Sequence, residues 1–237
     1  MLWRIEGKDG HGDSYLFGTS HGDGNDYELS DLYAAFPALR QALEECEVIA
    51  FESRNDLQDS AVLADWAGVA ELVLNDHYQN PPLRPRRTPR HWLEGRSVDR
   101  CLMKYAAKHG KDSLGLETHT EEMAIRLAVW RDSILWALYE KEQIGYNPLP
   151  DSALSAMMRR HYLNNRLDSL VSFLFETEGF SLMDTAWTAR RNALWVPRIL
   201  REISARPCLV AVGAMHLHGP HGLLALLRRR GYRLQPL

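Results

Sequence analysis

Two rhythms of hydrophobic and polar positions alternate along this chain. Short apolar runs rich in β-branched and aromatic residues stop abruptly at a glycine or a polar group. Between them lie longer stretches with apolar positions three and four residues apart, the period of a helix with one buried face. The first kind predicts strands at residues 2–5, 15–17, 47–52 ("EVIAFE"), 113–117 ("SLGLE"), 208–213 ("CLVAVG") and 232–235. The second predicts helices from a cap at Ser30 or Asp31 through Leu43 with a break near Pro37, then over 57–73, 151–165, 166–177 and 182–204, and one ending before Gly231.

A further helix is expected after Thr118-His119-Thr120-Glu121, which has the spacing of a capping box. In it Leu127, Trp130, Ile134, Ala137 and Leu138 form a single core-facing stripe. Residues 79–96, "QNPPLRPRRTPRHWLEGR", carry four prolines and five arginines and read as an exposed loop. Strands alternating with helices imply an α/β architecture: a central mixed β-sheet flanked by helices, with a helical insertion in the middle of the chain. One domain over 1–237 is expected, with 56–183 a largely helical elaboration.

Composition adds bounds rather than direction. With 45% hydrophobic and 25% charged residues, the 237-residue chain matches an ordinary globular protein. A net charge of −3 argues against a nucleic-acid-binding role for the surface as a whole. The arginines between 84 and 96 read as a solvated loop. Cys46, Cys101 and Cys208 make no C-x-x-C pair, so neither a zinc ribbon nor a disulfide framework is legible. Cys46 and Cys208 sit in apolar surroundings and read as small buried hydrophobes. No stretch resembles a signal peptide or a membrane span, and the expected location is cytoplasmic.

The chemistry concentrates where strands end. "SYLFGTSH" runs into Gly18 with His21 three residues later, and "VAVGAMH" repeats this at Gly213 and His216. "EVIAFE" ends at Glu52. Each glycine would let the chain turn sharply off the sheet, leaving the histidine at the rim. In α/β sheets functional groups collect beyond the carboxyl ends of strands, so His21, Glu52 and His216 could share one cleft. Two imidazoles and a carboxylate can form an open metal site with positions left for water or substrate. This ligand set suits Zn, Mn, Fe or Co. Glu52 could alternatively serve as general base beside a metal held by the histidines. His218 and His221 in "HLHGPH" are weaker candidates, because the glycine and proline there turn the chain.

With those motifs in view, "LWRIEG…SYLFGTSH", "VIAFE", "LGLET", "RRNALW" and "VAVGAMHLHGPHGLLALLRRRGYRL" resemble the TraB/GumN family, which is related to the Tiki metalloproteases within a superfamily of erythromycin-esterase-like and ChaN-like proteins. The resemblance covers residues 1–55, 113–123 and 184–237. It implies an α/β fold with both G-x-x-H motifs in one cleft and a divalent metal, manganese or cobalt in Tiki proteins. Over matching positions it marks His21, Glu52 and His216, the pair Arg191 and Asn192, and Glu117 of "GLET". In that reading Arg191 holds substrate or the developing oxyanion and Asn192 orients a ligand or water. The alternative for the pair is a solvated face beside buried Leu194 and Trp195.

The reading that follows is a metal-dependent hydrolase. Its substrate would be a peptide or small molecule with an amide or ester bond, and its cofactor Mn, Co or Zn. A non-catalytic protein that sequesters a peptide or signalling molecule in the same cleft is the alternative, and haem handling a more distant one.

Overall fold

A computed structural model describes residues 1–8, 12–20, 25–53, 60–79, 97–142, 151–177 and 182–237. In chain order its elements are β1 (Leu2–Ile5), β2 (Ser14–Thr19), α1 (Leu29–Ala35), α2 (Leu39–Glu45), β3 (Val48–Phe51), α3 (Ser60–Gln79), α4 (Val98–His109) and β4 (Asp112–Gly115). There follow α5 (His119–Trp130), α6 (Ser133–Glu142), α7 (Asp151–Leu163), α8 (Leu167–Thr177), α9 (Leu182–Ile203), β5 (Cys208–Gly213), a 3-10 turn (Ala214–Leu217), α10 (Leu223–Arg229) and β6 (Leu234–Pro236).

The six strands form one mixed sheet in the order β4-β3-β5-β2-β1-β6. The first four are parallel, while β1 runs antiparallel to both of its neighbours. The expected α/β fold is therefore the observed one. β5 and β3 are buried along their whole length, as interior parallel strands must be when both faces are covered. Their sequences, "CLVAVG" and "VIAF", are accordingly apolar without alternation. Cys46, Cys101 and Cys208 are all buried free thiols. Burial raises the pKa of Cys46 and pushes that of Cys208 up to about 12, so both stay protonated.

Local signals and packing explain the helix boundaries. Thr118 accepts from the Glu121 backbone N–H, and the Glu121 carboxylate accepts from the Thr118 N–H, so the expected capping box exists at the start of α5. Pro37 falls in the break between α1 and α2, although the N-cap of α1 is Glu28 rather than Ser30 or Asp31. The single stripe expected from Leu127 to Leu138 does not form. Asp132 Oδ1 accepts from the N–H groups of Ile134 (3.1 Å) and Leu135 (3.2 Å), starting a second helix in a new direction. Leu127 is buried, whereas Ile134 is 72% exposed.

α4 is absent from the expected helices, yet its signals are present. Val98, Cys101, Leu102, Tyr105 and Ala106 line its buried face, Ser97 caps its start, and Gly110 ends it at φ 63°. The arginines between 84 and 96 lie outside the described residues.

Candidate functional site

Parallel pairing aligns the carboxyl ends of β2, β5, β3 and β4 along one edge of the sheet. Phe51 ends β3 and Glu52 follows. β4 ends at Gly115, but the pairing continues: Leu116 N–H donates to Phe51 O (2.8 Å) and Glu117 N–H to Glu52 O (2.9 Å). Glu52 and Glu117 therefore leave adjacent strands side by side. On the next strand Gly213 ends β5, and its N–H donates to Glu52 Oε1 at 2.7 Å. The 3-10 turn that follows carries His216.

The strands that carry the two motif glycines lie side by side, because β2 and β5 are paired in register, Gly18 opposite Val212 and Thr19 opposite Gly213. The glycines do not act as sharp turns. Gly213 has φ −50° and ψ 136°, which any residue can adopt. Gly18 is favoured by close packing instead. A Cβ there would lie 3.1 Å from Ala214 Cα and 3.2 Å from Leu217 Cδ2, so the first motif's glycine admits the second motif's turn. His216 is consequently buried, at 5% exposure, rather than standing at an open rim. His21 lies outside the described residues.

Arg191, from α9, connects these strand ends. Its Nε donates to Glu117 Oε1 at 2.8 Å, and Nη2 donates both to that oxygen and to Glu52 Oε2 at 2.7 Å. Its Nη1 lies 3.1 Å from His216 Nε2. The guanidinium stands 4.6 Å from the ring centres of both Trp187 and Trp195, its neighbours one helical turn away on either side. Trp195 Nε1 also donates to Glu117 Oε2 at 2.9 Å, and its ring packs 4.3 Å from that of His216. Arg191 and Asn192 are 3% and 0% exposed, so the solvated-face alternative does not hold.

Asn192 fixes the histidine's tautomer. Its Nδ2 donates to the backbone carbonyls of His216 (3.0 Å) and His221 (2.8 Å), which sets the amide orientation. Oδ1 then faces His216 Nδ1 at 2.7 Å and accepts a hydrogen bond from its N–H. The Nε2 lone pair is left to accept from Arg191 Nη1. His218 and His221 have exposed side chains outside this cluster.

Burial dominates the electrostatics. The Glu117 side chain is fully buried, and desolvation pushes its pKa up to about 7 despite the bonds from Arg191 and Trp195. Burial also opposes the charge on Arg191, but Glu52 and Glu117 together hold its pKa above the usual value. The directions agree physically: one guanidinium has two carboxylates to compensate it, whereas Glu117 shares that guanidinium with Glu52.

Among the described residues no group of three or more His, Cys, Asp or Glu side chains is placed to hold a metal ion. Glu52 Oε1 and His216 Nε2 do approach to 3.7 Å. Two ligands at about 2.1 Å from a tetrahedral centre are about 3.4 Å apart, so this pair could serve as two ligands of an open site. The Nδ1–H bond to Asn192 supplies the orientation usual for a metal-bound histidine. Arg191 is the obstacle, since it already donates to both groups.

Of the expected residues, Glu52, Glu117, Arg191, Asn192 and His216 come together. Trp187 and Trp195 are additions to the expected site, although their spacing around Arg191 places all three on one helical face. No described helix is long and apolar enough to cross a membrane. A family model described as the TraB/PrgY/gumN family matches residues 83–236, a span that contains Glu117, Arg191, Asn192 and His216 and also the middle helices, which carry no motif of the resemblance. The match does not extend over β1, β2 or Glu52. No curated protein and no solved structure matches the chain.

Proposed function

The chain belongs to the TraB/PrgY/gumN family, and from that premise we propose that its cluster of Glu52, Glu117, Arg191, Asn192 and His216 is the centre of a metal-dependent hydrolase acting on a peptide, amide or ester bond. The observation that carries this reading is the convergence of two carboxylates and an oriented imidazole from three strand ends on one buried guanidinium. Burying charge is costly unless it is paired and hydrogen-bonded, and a buried carboxylate with a perturbed pKa beside a specific charge partner marks a candidate functional site.

Glu52 and His216 would hold the cation, with His21 as a third ligand. The chemistry that a divalent cation would supply there is a lowered pKa for bound water and polarisation of the scissile carbonyl. The protein's own groups supply the rest. Asn192 keeps the His216 proton on Nδ1 and so leaves Nε2 as a base or ligand. Gly213 N–H steadies the Glu52 carboxylate. Glu117, with a pKa near neutrality, could hold or release a proton at the floor of the site.

Turnover of a peptide and ester panel with Mn, Co or Zn tests the proposal. Activity should depend on metal and disappear in folded His21→Ala and His216→Ala variants; retained activity in both would remove the mechanism.

One observation favours the non-catalytic alternative. Four of the five guanidinium N–H groups of Arg191 already have an acceptor within the chain, so one, on Nη1, is left for an oxyanion unless the guanidinium rearranges. Mass spectrometry of a peptide after long incubation with protein and metal separates the readings: an intact, retained peptide indicates sequestration.

A further inference from the structure

We infer that Arg191 is a built-in cation that competes with a divalent metal for His216 and Glu52, so that the observed arrangement is a metal-excluding state of the centre. This inference rests on the metal-binding reading above. Its key is His216. A neutral imidazole has a single in-plane lone pair, and the Asn192 amide, locked by two backbone carbonyls, keeps the proton on Nδ1. The lone pair on Nε2 accepts from Arg191 Nη1 at 3.1 Å. Accepting that N–H and ligating a metal are mutually exclusive uses of one electron pair. Glu52 is less exclusive, since a carboxylate has several lone-pair sites and can receive Arg191 Nη2 and another cation together.

Metal entry therefore requires the guanidinium to leave His216, not to leave the cleft. The bond from Nε to Glu117 at 2.8 Å and the flanking indoles of Trp187 and Trp195 keep it close. This gives Glu117 a role as well, as the anchor that retains the displaced cation. A guanidinium held beside the ligands also repels an incoming metal directly, which adds to the blocking of the lone pair.

Titration with Mn2+, followed by the electron paramagnetic resonance signal of the free ion, tests this without any turnover assay. The informative protein is the double variant Arg191→Met/Glu117→Gln. At pH 8, where Glu117 is ionised, it removes one positive and one negative charge, so a change in affinity cannot be attributed to net charge at the centre. The amide introduced in place of the Glu117 carboxylate still offers an acceptor to Trp195. The double variant is expected to bind Mn2+ at least tenfold more tightly than wild type, and adding His216→Ala should remove the gain. Equal or weaker binding would overturn the inference while leaving the metal reading intact. Absence of Mn2+ binding in both folded proteins would overturn the two together. Should the double variant fail to fold, Arg191→Lys applies the same tenfold criterion, because it keeps the charge without the planar fork that reaches Glu117, Glu52 and His216 together.

Discussion

Replacing Asn192 by leucine should cost much more than a change of one uncharged side chain of similar size suggests. Asn192 has no exposed surface and makes three hydrogen bonds, two as donor to the carbonyls of His216 and His221 and one as acceptor from His216 Nδ1. Leucine fills a similar space but leaves all three partners without an opposite number. A buried group deprived of its partner costs about 1–3 kcal/mol. Allowing for some relaxation of the turn, the total is about 4 kcal/mol, which for a chain of this length lowers Tm by about 10 °C. Chemical denaturation at neutral pH measures the loss. Nitrogen-15 NMR of the imidazole reads a second consequence, the loss of the fixed Nδ1–H tautomer. Asn192→Asp separates the two effects. It retains an acceptor for Nδ1–H but faces both carbonyls with oxygen, so the tautomer should survive while stability falls. A loss below about 1 kcal/mol for Asn192→Leu, with the tautomer unchanged, would refute the assignment of Asn192 as the residue that orients His216.

Other substitutions test the remaining contacts. Glu117→Gln should alter the pH dependence of stability: between pH 4.5 and about 7 folded Glu117 keeps a proton that the unfolded chain has lost, so wild type loses stability as pH rises, with the penalty complete above pH 7. The displacement corresponds to about 3 kcal/mol, and denaturation of both proteins from pH 4.5 to 8 should show that difference growing with pH; a constant difference would contradict it. Trp195→Phe removes a donor to Glu117, whereas Trp187→Phe removes a buried indole N–H that has no partner among the described residues. Thermal denaturation should therefore show Trp195→Phe to be the more destabilising by about 1–2 kcal/mol. Gly222→Ala would put a Cβ 2.2 Å from His218 O, a clash with backbone that should cost about 3 kcal/mol by the same measurement.

What the chain discloses before folding follows from how local each feature is. The parallel strands are legible because burial on both faces leaves an uninterrupted apolar run, as in "CLVAVG", and such a run must stop where the sheet meets solvent. Glu52 and His216 are therefore identifiable as residues just beyond a strand, by position alone. The α5–α6 break is illegible because the apolar spacing continues through it. The interruption is made by one capping side chain, Asp132, which a periodicity count treats as an ordinary polar residue.

The role of Arg191 is a different kind of omission. Its partners lie 139, 74 and 25 residues away in the chain, so no local pattern can encode them. What α9 does encode is the Trp187-Arg191-Trp195 row, two indoles one turn either side of a cation. That arrangement makes sense only if the cation is buried, because two tryptophans would be a poor choice beside a solvated guanidinium. A buried guanidinium in turn demands carboxylates, and the strand ends at Glu52 and Glu117 are where the parallel sheet can deliver them. The same logic assigns Gly18 its purpose. Its motif suggests a turn, but what the glycine provides is close approach, since a Cβ there would crowd Ala214 and Leu217 of the His216 turn. The first motif's glycine thus lies against Ala214 and Leu217, the two ends of the turn that carries the second motif's histidine.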